Sequence, residues 1–280
     1  MVELPFERVE HFVRIRVHLP DGSTARFLVD TGIGITILSP SVVERCQLAM
    51  TGSDYTGHRM SGQAVSVPLV QLPSLELRSD SPSAGSGGFA VLSGTVGVAD
   101  FGPSEGAHGF DGILGLDLLG PLRLTVDPFT SVIALARMQH GGPDQIEIPV
   151  RLHEDGPAID LRTNLRLPDG TVTEVEIDTG SAATILDERF MVSCEVTDAE
   201  PTSRVTEGVD ETGHHYRRQF IPIPGSVSLA AAPATELRQP TVMFQQLALN
   251  GLIGTDFLDR YVQTYDTTRG ILTLAMPDHT

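Results

Sequence analysis

Lysine is missing from the 280 residues, so all nineteen basic side chains are arginine. We read this first as a genomic codon bias, which says nothing about chemistry. Basic residues are outnumbered by 36 Asp and Glu, leaving a formal charge of −17. That excess disfavours nucleic acid and anionic membrane surfaces as partners. Only two cysteines occur, too few for a disulfide framework or a Cys-rich metal site. Histidines are scattered, and the one adjacent pair, His214-His215, would face opposite sides of a strand, so no metal or other cofactor is expected. No apolar run approaches the length of a membrane span, and Met1–Arg8 lacks a basic segment followed by an apolar one. A cytoplasmic protein is the expectation. Also absent are a Gly-rich phosphate loop between strand and helix, a Ser-His-Asp nucleophile context, and helical periodicity over ten or more residues.

What is present is a repeat. Asp30-Thr31-Gly32 and Asp178-Thr179-Gly180 lie 148 residues apart, each closing an apolar, β-branched run and each followed by Thr-Ile-Leu at the same offset (36–38 and 184–186). One such tripeptide is weak evidence; two in matched surroundings are not. The copies also share Leu-Pro-Asp-Gly (19–22 and 167–170), in which Pro presets φ and Gly accepts positive φ, between alternating runs that read as hairpin strands. Cys46 and Cys194 both fall sixteen residues after their Asp, as buried apolar residues at equivalent positions would. Asp111-Gly112-Ile113-Leu114-Gly115 aligns with Asn250-Gly251-Leu252-Ile253-Gly254, and one final strand is predicted after each block. Ser39-Pro40 reads as the start of a short helix, with Asp187–Phe190 in the same place of the second copy. The Gly/Ser-rich stretch 79–109 has no full counterpart in the second copy. A strand, Phe89–Val98, is predicted inside it, and a tolerated surface insertion is favoured over a lid.

These readings give an all-β chain of two homologous halves: 1–137, a linker at 138–144, and 145–280. Two carboxyls held about 3 Å apart share a proton, one acting as base toward a water and the other as acid toward a carbonyl oxygen. Hydrolysis by this route needs one Asp from each of two symmetric halves, which Asp30 and Asp178 supply.

Asp-Thr-Gly closing a strand, a Gly-tipped hairpin, then two apolar residues and Gly before a short helix resembles one lobe of a retropepsin-like aspartic protease. Two such lobes in tandem resemble the internal dimer of the pepsin family, nearly end to end. The resemblance implies acid-protease β-barrel lobes about a pseudo-twofold axis, few short helices, and a lobe-joining sheet from segments 2–6, 131–136, 145–150 and 271–276. It implies an aspartic endopeptidase acting on peptide or protein substrates as a monomer, with Asp30 and Asp178 catalytic. Thr31 and Thr179 would lock the loops across the axis, Gly32 and Gly180 would permit the turns, and Ser181 would support the second loop. It places flaps at 55–62 and 211–218, with Tyr55, Thr56, Gly57, His58, Thr212, Gly213, His214 and Tyr216 as candidate substrate contacts. Ser181, facing Ile33 in the first copy, is expected to stabilise ionised Asp178 and leave the proton on Asp30, although the pair titrates as a unit. A catalytically silent peptide-binding module of the same fold is the rival reading; intact Asp-Thr-Gly in both copies favours the enzyme.

Overall fold

The computed structural model describes residues 1–79, 89–100, 109–136, 145–200, 202–209 and 215–277. The predicted linker 138–144 and the flap candidates Thr212, Gly213 and His214 lie outside the described residues. The architecture is all-β: strands in three sheets, with helices only at Pro40–Arg45, Leu116–Leu119 and Thr255–Leu258 and a 3₁₀ turn at Glu188–Phe190 among the described residues. No described helix is long and apolar enough to cross a membrane.

Each half builds its own sheet by the same rule. Phe12–His18 pairs antiparallel with Thr24–Val29 around Leu-Pro-Asp-Gly, where Gly22 has φ +82° and its N–H donates to the Leu19 carbonyl at 3.0 Å. Ala158–Arg166 and Val172–Ile177 repeat this, with Gly170 at φ +90°. The strand entering Asp-Thr-Gly then pairs parallel with Gly112–Leu114 in the first half and with Gly251–Ile253 in the second. Those short strands pair antiparallel with Ile37–Leu38 and Ile185–Asp187, so the Thr-Ile-Leu run returns beneath the loop that it follows. The His18↔Glu76 pairing joins Phe12–His18 to the long strand Ala64–Arg78 and curls the first sheet on itself; in the second, Arg166↔Ser228 joins Ala158–Arg166 to Ser226–Leu229.

Three expectations are corrected here. The predicted strand Phe89–Val98 is present, but it belongs to the repeat: it pairs parallel with Ile37–Leu38 as Thr241–Gln245 pairs with Ile185–Asp187. The part of 79–109 without a counterpart therefore excludes this strand. Each "final strand" is instead a hairpin, Arg123–Asp127 with Val132–Ala136 and Val262–Asp266 with Ile271–Ala275. The turns are made by Asp127, whose Oδ1 accepts the Phe129 and Thr130 N–H groups, and by Asp266, whose Oδ1 accepts that of Arg269. Cys194 is buried, its thiol pushed up to about 12 by burial, whereas Cys46 is half-exposed at the core margin.

The sheet shared by the halves has six strands rather than four. Its order is Val2–Pro5, Val132–Ala136, Arg123–Asp127, Val262–Asp266, Ile271–Ala275, Gln145–Pro149. All four predicted segments are in it, as outer pairs flanking the two strands that make the actual contact between halves. At the centre Thr125 pairs with Thr264, its own counterpart in the repeat, and their hydroxyls are 2.9 Å apart. A residue that meets its own counterpart lies on a twofold axis, so the approximate diad runs through this point. One continuous apolar core fills the space around it, drawing on both halves.

Candidate active site

The same diad passes between the two Asp-Thr-Gly loops. Each Asp sits at the end of a buried strand, with its main-chain N–H donating at 3.1 Å to the apolar-Gly strand beneath: Asp30 to the Leu114 carbonyl and Asp178 to that of Ile253. The chain then turns back so that the following glycine caps the carboxyl. Gly32 N–H donates to Asp30 Oδ1 at 2.8 Å and Gly180 N–H to Asp178 Oδ1 at 2.7 Å. Each carboxyl also faces the opposite loop. A Cβ added at Gly32 would stand 2.6 Å from the Asp178 carboxyl carbon, and one added at Gly180 would stand 2.5 Å from that of Asp30. The two carboxyls lie within hydrogen-bonding reach of each other.

Thr31 and Thr179 hold this arrangement. Thr179 Oγ1 accepts the Thr31 N–H at 3.0 Å, and Thr31 Oγ1 accepts the Thr179 N–H at 3.1 Å. The hydroxyls in turn donate to the Ile177 carbonyl at 2.8 Å and the Val29 carbonyl at 3.4 Å, all of it buried. One turn further out, Thr36 donates to Asp117 Oδ1 at 2.6 Å and Thr184 to Asp256 Oδ1 at 2.9 Å, tying each loop to its short helix. Asp117 and Asp256 are thus structural. Burial raises both above the ordinary carboxylate range.

Burial also raises Asp30 and Asp178, both of which are at least half-buried. The two are unequal. Asp178 is driven well up by desolvation, by the Asp30 charge and by the Glu176 charge two residues before it. Asp30 is raised by desolvation, but the Gly32 and Gly180 N–H groups and the nearby His11 pull it back. The two titrate as a pair, and the support that Ser181 was expected to give ionised Asp178 is missing. The reason is local: Ser181 Oγ donates to the Ala183 carbonyl at 2.9 Å instead of to Asp178.

The first hairpin, Met50–His58 with Ala64–Arg78, extends over this site. Its turn is Arg59–Gln63, so Tyr55–His58 lie on the approaching strand rather than at the tip. Tyr55, Gly57 and His58 nevertheless line the cleft beside Gly32; Thr56 is exposed and bonds Ser66 at 3.2 Å. The tip reaches the other half. Ala248 N–H donates to the Met60 carbonyl at 2.8 Å, and the Met60 side chain packs on an apolar cluster of Ile185, Met243, Leu247 and Leu252. Tyr216, on the second hairpin strand His215–Pro222, stacks under the Arg218 guanidinium at 4.2 Å and lines a separate cleft with Arg59 and Met60.

Sequence reasoning missed three residues here. His11 places Nε2 at 2.9 Å from the Gly180 carbonyl oxygen, bridging the halves from the turn just before the strand Phe12–His18. Met60 anchors the hairpin tip. Glu176 lies beside the dyad, where the first copy has Leu28, a contrast visible on aligning the repeats. Nothing in the sequence marks the other two.

Compared with known proteins, residues 13–118 match the family model described as aspartyl protease. This supports an aspartic protease function for the segment that contains Asp30. No curated protein matches the chain.

Proposed function

We propose that the chain is an aspartic endopeptidase of two lobes, residues 1–137 and 145–280, whose Asp30 and Asp178 together activate water for peptide-bond hydrolysis. The observation that carries this reading is the reciprocal placement of the two carboxyls, each capped by its own glycine and facing the opposite one within hydrogen-bonding reach. In the monoprotonated pair, the ionised carboxyl is the base that takes a proton from water, and the protonated one donates to the carbonyl oxygen of the scissile bond. The N–H groups of Gly32 and Gly180 fix the carboxylates in that geometry. The first hairpin, through Tyr55, Gly57 and His58, walls the cleft beside Gly32 in which a substrate would lie. Both acids come from one chain, so a monomer has the complete site.

The test is cleavage of a proteome-derived peptide library by the wild type, Asp30→Asn and Asp178→Asn across a range of pH. General acid–base roles are worth roughly 10²–10⁴-fold each, so either substitution should lower kcat/KM by about a thousandfold. The wild-type profile should be a bell, because one proton must be lost from the dyad and the other retained. Since both carboxyls are raised, its falling limb should lie above the usual aspartate value of about 4. Cleavage that survives both substitutions would remove the dyad from the mechanism. A wild type inert toward the whole library at every pH would favour the peptide-binding module.

A further inference from the structure

Beside the dyad, under the first hairpin, is a cleft of about 470 Å³. Glu176 lines it. It lies two positions before Asp178, on the strand Val172–Ile177 that leads into it, so its side chain is on the same face as that of Asp178, because strand side chains alternate with period two. Directly across the ladder stands Arg162, yet its guanidinium is committed elsewhere: to Asp160 at 3.1 and 3.3 Å and to Glu174 at 3.9 Å. His153 also approaches Asp160, at 3.3 Å. Glu176 has no hydrogen bond or ion pair among the described residues, although its surroundings are largely protein. Four acids line the cleft (Asp155, Asp160, Glu174, Glu176) against two arginines, Arg59 and Arg162, with His58 and His153 at its margin. The half-buried Tyr55 lies near the acids from the hairpin side.

A largely buried carboxyl with no partner is costly, and the usual remedies are protonation or an incoming cation. The repeat sharpens the point: Leu28 occupies the equivalent site of the first half and is buried, so the fold does not need an acid there. We propose that this cleft is a subsite for an arginine or lysine side chain of the substrate, next to the bond that is cut, with Glu176 as the residue that selects it. This rests on the reading of Asp30 and Asp178 as the catalytic pair. The guanidinium or ammonium group would complete the ion pair that Arg162 leaves open, with Asp160 and Glu174 adding to the field. Burial and the charges of Asp160 and Asp30 push Glu176 up to about 8, so the empty cleft holds a neutral acid at pH 7 and binding of a cation releases its proton.

The experiment uses matched peptides that differ only in arginine against citrulline, its neutral isostere, at the position flanking the cleaved bond, with that position taken from the library profile. For the wild type, kcat/KM should favour arginine by about tenfold or more, and in Glu176→Gln the ratio should fall toward one. Arginine at positions more distant from the bond should show no such dependence on Glu176. In parallel, the two peptides are titrated calorimetrically onto Asp30→Asn in buffers of different ionisation enthalpy. The arginine peptide should bind more tightly and release protons. A wild type that cleaves peptides without preferring a basic residue beside the bond overturns the subsite and leaves the protease reading intact. Failure of the wild type to cleave anything removes the protease reading. The binding arm then decides the cation site by itself, and equal affinity for both peptides rejects it.

Discussion

Gly180→Ala and Gly32→Ala will each lower kcat/KM by roughly a hundredfold or more while the chain still folds. Neither glycine has a positive φ, so the backbone itself accepts alanine, and the main-chain N–H that caps each aspartate is retained. The obstacle is the methyl group, which would stand 2.5 Å from the Asp30 carboxyl carbon in one case and 2.6 Å from that of Asp178 in the other. Real contacts of that kind do not occur, so one carboxyl must move by the better part of an ångström and the proton-sharing geometry is lost. Overpacking of this kind costs about 1–3 kcal/mol of stability, well short of unfolding a chain with an extensive core. Thermal melting and peptide kinetics on the same preparations separate the two effects. Wild-type kinetics in both variants would mean that the opposing carboxyls are not where the chemistry occurs.

The second large effect falls on stability. Thr31→Val keeps the shape of the side chain but leaves the buried Thr179 N–H without an acceptor and the Ile177 carbonyl without the hydroxyl donor. Thr179→Val does the same to the Thr31 N–H and weakens less at its other end, where the bond to the Val29 carbonyl is already long at 3.4 Å. Each orphaned buried group costs about 1–3 kcal/mol, so either substitution should lower the melting midpoint by roughly 4–8 °C, with Thr31→Val the larger. Thr31→Ser, which retains the hydroxyl, should recover most of the loss. Unchanged melting in both valine variants would show that the loops are joined by the six-stranded sheet alone. Activity should fall alongside, because these bonds set the distance between the carboxyls.

The parts legible in the sequence are those where backbone geometry restricts residue choice. Leu-Pro-Asp-Gly announces its hairpin because Gly22 and Gly170 must take positive φ. The two Asp-Thr-Gly loops announce themselves because Asp, Thr and Gly each have a hydrogen-bonding or steric duty that few residues share. The errors arose where nothing local distinguishes the alternatives. Asp127–Ser131 and Asp266–Gly270 turn by carboxylate-to-main-chain bonds, a device that reads as ordinary polar sequence, so two hairpins were taken for two strands and the joining sheet was two strands short. Within the flap span 55–62 only the end turns, because alternation continues through His58 before Arg59–Gln63. Phe89–Val98 shares no motif with Thr241–Gln245; only their pairing with the Thr-Ile-Leu strands shows that they correspond. Ser181 is a plausible donor to Asp178 in sequence, but its hydroxyl faces the Ala183 carbonyl.

The central claim, a proton held in common by Asp30 and Asp178, is tested most directly by neutron diffraction from crystals grown in deuterated solvent with a bound, uncleavable hydroxyl-bearing peptide analogue. The account predicts one deuteron held between the two carboxyls, with the ionised partner accepting a hydrogen bond from the analogue's hydroxyl. Two ionised carboxylates, each hydrated separately and too far apart to share a hydrogen, would contradict it.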